Sequence, residues 1–290
     1  MKIDLRIQKD GNREGVFPLL AKCFPEHWAP RIARGEARFP LPITSVIAEC
    51  GEIIVGHCGI IMFEFYLGTE LWKAAGLCSV AVDPDYQGQG IAGKMFDHVL
   101  EYCQKNQIFF SPLYTGVPQV YEKRGWQLYK SFAPKKISGA GSDFHSLYKN
   151  KLSEQQQSDI RQLYSNGFIF DGKIKRSELR WNALFANKSL YWCLTENAYA
   201  LVIKDQENYI LCEAYSQDDC WDGLLNSGLL LSLPPTHPVL VNHDSIDSPI
   251  DIWHEEVVMV NIINSKSAEK AGLAVAIEQH SFFFPLPDKF

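Results

Sequence analysis

The residues with the clearest chemistry run from Ser79 to Met95, where Gly88, Gly90 and Gly93 stand just before apolar residues at helical spacing. Glycines let backbone N–H groups come close to an anion, and a helix opening behind them turns its positive end toward the same point. The chemistry on offer is capture of phosphate by main chain. Two ligand classes that use such loops fit poorly. A dinucleotide-binding unit wants a carboxylate about 20 positions on to hold a ribose, and residues 108–116 contain none. A strand hairpin also precedes the loop, where that unit usually opens near its first strand. A nucleoside-triphosphate loop matches the spacing from Gly88 to Lys94, but Met95 stands where a hydroxyl must ligate Mg²⁺. A thioether is a poor ligand for a hard cation.

A third reading uses more residues. Gln87-x-x-Gly90-x-Ala92 is preceded by Val80-x-Val82-x-Pro84 and followed by Tyr121-Glu-Lys-Arg-Gly125-Trp126. These three elements, in this order over about residues 45–130, closely resemble the GCN5-related N-acetyltransferase (GNAT) family. The resemblance implies an α/β (α+β) fold: a mixed, mostly antiparallel sheet flanked by helices, whose fourth and fifth strands splay to admit the pantetheine arm of acetyl-CoA. Val80 and Val82, with Ala81 between them, would offer main-chain hydrogen bonds to that arm. Gln87, Gly88, Gln89, Gly90, Ile91, Ala92 and Gly93 would wrap the pyrophosphate at the helix start.

The implied reaction is direct attack of a neutral primary amine on the thioester, promoted by proximity and orientation. A main-chain N–H near Val80 would stabilise the developing oxyanion. Tyr121 occupies the family's usual general-acid position for the leaving thiolate. Three residues depart from the pattern. Gln87 replaces the commoner arginine, Pro118 and Gln119 stand where many members place a CoA-holding asparagine, and Trp126 replaces a phenylalanine.

The general base is open among four candidates: the C-terminal carboxylate of Phe290, Asp288, Glu64 and water. The ending Phe282-Phe-Phe-Pro-Leu-Pro-Asp-Lys-Phe290 resembles the enhanced-intracellular-survival type of acetyltransferase, in which a terminal phenylalanine carboxylate serves as base. That type carries a further lipid-carrier-like domain for which this chain has no room. Its four phenylalanines also suit a last strand docked in the core. His57, in Val55-Gly-His-Cys-Gly59, is read as a structural histidine with its hydrogen bonds satisfied.

These residues need particular elements to hold them. A strand is expected over 3–8, then helical spacing over 13–34 broken at Pro25. Extended runs at 44–49 and 53–67 flank Cys50 and Gly51 as a hairpin, and a strand over 71–82 ends at Pro84. Ile91, Met95, Phe96, Val99, Leu100 and Cys103 make an amphipathic helix. A buried strand over 108–114, a short helix over 118–124 closed by Gly125 and a strand at 126–131 follow.

A boundary is expected between 137 and 138, in the polar, glycine-bearing stretch 133–142. Residues 1–137 would be the acetyl-CoA-binding catalytic domain, and 138–290 a second, degenerate GNAT-like domain walling the acceptor site. Helices at 152–164, 177–186 and 218–231 and strands at 189–195, 199–204, 209–215, 239–241 and 256–263 echo the first half, which suggests an internal repeat. The second half lacks the glycine loop. Gln217-Asp-Asp-Cys-Trp-Asp222 falls at its place, and its three carboxylates would repel a pyrophosphate.

The length of 290 residues suits two domains. With 28 basic and 34 acidic residues the net charge is −6, which argues against a nucleic-acid partner and for a cationic acceptor. Polyamines, amino sugars, aminoglycoside-like amines and lysine side chains all qualify. The charged N-terminus is no signal peptide, and the apolar runs fall far short of about 20 residues, so a cytoplasmic protein without a membrane partner is expected. Eight cysteines without a Cys-x-x-Cys pair read as reduced core thiols, and no metal-ligand spacing appears. The leading function is an acetyl-CoA-dependent N-acetyltransferase. The alternatives are an acyl-CoA sensor without turnover and a partner-binding protein using Trp28, Trp72 and Trp192, whose tryptophans are better explained as core.

Overall fold

The structure is a computed structural model that describes residues 2–9, 14–131, 147–149, 152–167, 172–188, 190–205, 208–216 and 257–263. The first half opens with β1 (Asp4–Gln8), α1 (Val16–Cys23) and α2 (Pro25–Ala33). Pro25 falls in the first turn of α2, where its missing N–H costs nothing, so the helical stretch breaks there into two. Three strands then run antiparallel: β2 (Thr44–Cys50), β3 (Ile53–Leu67) and β4 (Glu70–Val82). After a 3-10 turn over Pro84–Tyr86 come α3 (Ile91–Lys105), β5 (Phe110–Thr115), α4 (Gln119–Glu122) and β6 (Gln127–Ser131).

The second half begins with β7 (Leu147–Lys149), α5 (Glu154–Asn166), the two-residue β8 (Ile174–Lys175) and α6 (Glu178–Ala186). Ser153 and Gln156 form a reciprocal capping box at α5, which fixes where that helix starts. A meander of β9 (Leu190–Leu194), β10 (Ala198–Asp205) and β11 (Asn208–Ser216) follows, and then β12 (Val257–Ile262).

Two sheets result, ordered β1-β2-β3-β4-β5-β12-β6 and β11-β10-β9-β7, with β8 paired to β3. The first is mixed: β4 and β5 are parallel, and its other neighbours antiparallel. In each half one strand, two helices and a three-strand meander follow in order, and the first strand pairs antiparallel with the first strand of the meander. The expected internal repeat is therefore visible in this part of the second half.

The first sheet does not stop at position 137. Strand β12 lies between β5 and β6, pairing Val260 with Pro112 on one side and with Gln127 on the other. β8 pairs Ile174 with Phe65. The expectation of a strand near 256–263 is met, but its place is in the sheet of the first half. Sequence shows that a segment is extended and leaves its partner open.

Alternation along the strands sends two sets of side chains to opposite faces. Val46, Cys58, Leu77, Met95, Phe96 and Trp126 pack under α3. Val16, Leu20, Trp28, Ile47 and Ile61 pack under α1 and α2. Each such burial contributes roughly 1.5–3 kcal/mol before the entropy of ordering the chain is set against it. Trp28 and Trp192 are core residues, which removes them as exposed anchors. Cys58 and Cys103 are buried thiols rather than disulfide halves. No helix among the described residues is long and apolar enough to cross a membrane.

The second sheet packs on α5 and α6 around Trp181, Trp192, Tyr199 and Tyr215. Arg176 reaches the buried Glu213 through both terminal nitrogens, one at 2.8 Å, while the Tyr199 hydroxyl donates to the same carboxylate. The guanidinium also lies 4.1 Å from the Tyr164 ring centroid. This buried charge is thus both paired and stacked, the two conditions under which burial of a cation is tolerated.

Candidate functional site

The site grows from an irregularity in β4. Between His57 and Gly59 of β3 the register shifts, because His57 pairs with Ala81 and Gly59 with Cys78. Ser79 and Val80 therefore oppose Cys58 alone, which is a β-bulge. Ser79 has φ +49, a conformation rare outside glycine, asparagine and aspartate. The extra residue changes the phase of alternation. Leu77 and, beyond the bulge, Val80 and Val82 all face the α3 side, while Cys78 and Ala81 face α1 and α2.

The bulge also marks where β4 leaves β5. The parallel ladder pairs Ala74 with Phe110 and Leu77 with Leu113, and beyond it Cys78, Ala81 and Val82 pair with β3. Pro112, one residue before the last pair, has no N–H to give a neighbour. A mouth thus opens between the ends of β4 and β5, with Val80 and Val82 on one side. The Val82 carbonyl is already occupied, since Gln87 Nε2 donates to it at 3.2 Å. Gln87 is fastened there rather than extended toward an anion.

Beyond the mouth the chain turns into α3. Gly88 has φ +75 and Gly90 φ +73, and a Cβ at either would meet nothing within 4 Å. Backbone conformation, not crowding, demands glycine at these two positions. Gly90 caps α3 without a side-chain hydrogen bond, which leaves the helix's first N–H groups without a capping side chain. The third glycine has another cause. A Cβ on Gly93 would lie 2.6 Å from Arg124 Nη2, because that guanidinium crosses the first turn of α3 to reach Asp97, 3.0 Å away. Asp83 and Asp85 stand in the same turn. Lys22 of α1 neutralises both at 2.6 and 2.7 Å, and these hydrogen bonds hold its ammonium above the ordinary lysine range.

Tyr121 closes the α3 side of the mouth from α4. Its ring centroid lies 4.9 Å from that of Phe96 and 6.3 Å from that of Trp126. Burial, and next the neighbouring Cys58 thiol, push its hydroxyl well above the usual phenol range, against a hydrogen bond with Thr115 that pulls it down. Tyr121 is therefore a neutral phenol that holds its proton. α4 is itself held by the inserted strand, since Asn261 Nδ2 of β12 donates to the Arg124 carbonyl at 2.9 Å.

His57 is buried against the bulge, 2.8 Å from the Ser79 carbonyl through Nδ1 and 2.8 Å from Ser45 Oγ through Nε2. Burial lowers its pKa to about 4, against a weaker upward pull from the Ser79 carbonyl. It is the satisfied, neutral histidine that the sequence suggests. Glu64 lies six residues along β3 from Cys58, roughly 20 Å at strand rise, and pairs with Lys175 at 3.3 Å. Counted from Ile60, which opposes Leu77 at the last β4–β5 pair, Glu64 is four residues along the strand. Phe290, Asp288, the acidic stretch 217–222, the predicted helix 218–231 and strand 239–241, and the boundary stretch 133–142 lie outside the described residues.

The structure thus brings Val80, Ala81, Val82, the loop Gln87, Gly88, Gln89, Gly90, the α3 residues Ile91, Ala92 and Gly93, and Tyr121 around one opening. It adds residues that sequence reading passed over: Ser79 at the bulge, Ser45 behind His57, Lys22 on the acidic turn, and Asn261 behind α4. Ser45, Ser79 and Asn261 lie on segments read as strands and Lys22 in a stretch read as helical, so the elements were expected and the individual side chains were not. None of the four has a motif.

Comparison with known proteins follows the same outline. The sequence profile of the acetyltransferase (GNAT) domain matches residues 4–129. A search of curated proteins finds no match. Among solved structures, a GCN5-related N-acetyltransferase from Kribbella flavida superposes with a TM-score of 0.60 at 16% identity, covering 91% of this chain and 72% of that one. A conserved protein of unknown function from Enterococcus faecalis V583, described as a probable N-acyltransferase, gives a TM-score of 0.63 at 14% identity over 91% and 73%. Eis1 from Mycobacterium abscessus gives 0.62 at 13% identity over 91% and 74%. At these identities the likeness to the solved structures is one of fold.

Proposed function

We propose, from the premise that this chain carries a GNAT-family acetyltransferase domain over residues 4–129, that it transfers the acetyl group of acetyl-CoA to a primary amine. The observation that carries this reading is the coincidence of three features at one opening. They are a strand end released from its neighbour, an uncapped helix start behind left-handed glycines, and a buried phenol that keeps its proton.

Acetyl-CoA, as co-substrate, supplies the activated thioester. The N–H groups of the turn from Gly88 to Gly93 would hold its pyrophosphate by hydrogen bonds and helix charge. Val80 would bond the pantetheine arm through main chain, with Val82 offering its N–H side. A neutral amine nitrogen then forms the C–N bond, the carbonyl pair moves to oxygen, and the Val80 N–H bonds that oxygen as charge develops. The C–S bond breaks, Tyr121 donates its proton to the sulfur, and the proton lost by nitrogen balances it.

The acceptor is a small cationic molecule, such as a polyamine, amino sugar or aminoglycoside-like amine, or a lysine side chain. The net charge of −6 supports a cationic acceptor. The base that takes the nitrogen's proton is the Phe290 carboxylate, Asp288, Glu64 or water, and the 138–290 segment would form part of the acceptor wall. The experiment is calorimetric binding of acetyl-CoA, with NAD and ATP as controls, joined to thiol release across a panel of amines. Tight acetyl-CoA binding with turnover on one amine class is expected. Failure to bind acetyl-CoA overturns the reading, and binding without turnover on any amine turns it into a sensor.

A further inference from the structure

We infer that His57 is a positioning residue for this reaction: by holding the Ser79 carbonyl it aims the N–H of Val80 into the mouth between β4 and β5. The inference rests on the proposed function for its catalytic meaning, though the geometry stands without it.

A carbonyl oxygen only accepts, so the 2.8 Å contact between Ser79 O and His57 Nδ1 places the ring proton on Nδ1. Nε2 is then bare and accepts from Ser45 Oγ, also at 2.8 Å. Ser45 Oγ can serve Nε2 as donor or acceptor, so the Ser79 carbonyl alone selects the Nδ1–H tautomer, the one that satisfies both partners. The ring cannot turn away, because it is fully buried and lies parallel to Phe39, 5.7 Å between centroids at 9°. Phe39 is in turn packed on Phe17 and Trp28. The imidazole is a rigid peg set in the α1 and α2 side of the core.

That peg fixes a peptide plane. The Ser79 carbonyl and the Val80 N–H belong to one planar trans unit and point in opposite directions. With the carbonyl drawn by the imidazole toward β3 and the α1 and α2 face, the Val80 N–H is directed away from both, toward the α3 side of the mouth. There the ladder has already ended at Leu77. The positive φ of Ser79 supplies the reason that a tether is needed. A serine at +49 favours return to the ordinary β region, and rotating the 79–80 peptide would take the N–H away from the acyl carbonyl. His57 does not touch a reacting atom. It acts through one peptide group.

The test compares His57→Asn with His57→Gln and Ser45→Ala in the full-length protein. The asparagine amide reaches about where Nδ1 stands and keeps the donor to Ser79. Glutamine reaches about where Nε2 stands and loses it. A fall in kcat of about tenfold or more in His57→Gln, with the KM for acetyl-CoA changed less than twofold and activity largely kept in His57→Asn, supports the inference. Equal kcat in all three variants overturns it. Should the histidine variants fail to fold, ¹⁵N NMR of the wild-type imidazole decides. A proton on Nδ1 near neutral pH supports the tether, and a proton on Nε2 refutes it. The NMR arm needs no turnover, so an inactive wild type would sink the proposed function while the tether is still judged on its own.

Discussion

Replacing Tyr121 by phenylalanine removes one oxygen and leaves the packing. The ring would keep its place 4.9 Å from Phe96 and beside Trp126. What is lost is the hydrogen bond with Thr115. Thr115 Oγ1 still accepts from the Val117 N–H at 3.0 Å, so it is not orphaned. The stability change should therefore stay near one neutral hydrogen bond, about 0.5–1.5 kcal/mol. The catalytic change should be far larger. A positioned acid contributes roughly 10²–10⁴ in rate, about 3–5 kcal/mol of barrier. Thiol release at saturating acetyl-CoA, measured beside urea denaturation, separates the two. Because burial keeps the phenol protonated beyond the ordinary range, the substitution should lower the rate without moving the ends of its pH profile. A variant within threefold of wild type, or a rate loss that merely tracks a lost folded fraction, would refute the assignment.

Gly90→Ala puts a side chain at φ +73 in open space, so it should cost about 1–2 kcal/mol of backbone strain and weaken acetyl-CoA binding measured by calorimetry, and an unchanged affinity would show that the loop does not hold the pyrophosphate. Arg176→Met removes the buried Glu213 carboxylate's guanidinium and leaves it the Tyr199 hydroxyl alone of the partners named above; it should cost about 3–5 kcal/mol in denaturant unfolding, where a loss under about 1 kcal/mol would mean that the pair gives nothing. His57 adds a pH dependence whose sign is fixed: with its folded pKa near 4 and its ordinary value 6.5, the unfolded chain binds more protons between them. Stability should hold above about 6.5 and fall on acidification toward 4, by up to about 3 kcal/mol. The urea-derived advantage of wild type over His57→Asn should shrink over that window, and an advantage that grows as pH falls would contradict it.

Much of the first half was legible because local patterns decide it. The apolar spacing of Ile91, Met95, Phe96, Val99 and Cys103 is α3, with those five buried. Pro25 stands in the first turn of α2, where the chain breaks from α1, while α2 runs on through Pro30. The glycine loop and Tyr121 were legible too, since backbone conformation and motif order mark them. The bulge was not. Nothing about serine announces φ +49, and the offset appears only when β4 is laid against β3. β8 has two residues, too few for any periodicity. β12 reads as a strand in sequence, but its neighbours are β5 and β6, which only long-range packing selects. The same holds for Asn261, which matters through a carbonyl 137 residues away in sequence.

The insertion of β12 sets a timetable for making this protein. Residues 110–115 and 127–131 leave the ribosome well before 257–262, which must lie between them. The gap is roughly 125 residues, or about 6–25 s at ordinary rates of synthesis. Through that interval two strand edges of the nascent sheet stand open, the kind of edge that other chains can join. The peptide carrying Tyr121 lacks its Asn261 brace for the same time. Closing the sheet also means closing a long loop, an entropic cost that must be met before any contact of β12 rewards it. A chain stalled or clipped before residue 257 therefore has its glycine loop and its tyrosine in sequence but no completed sheet to hold them.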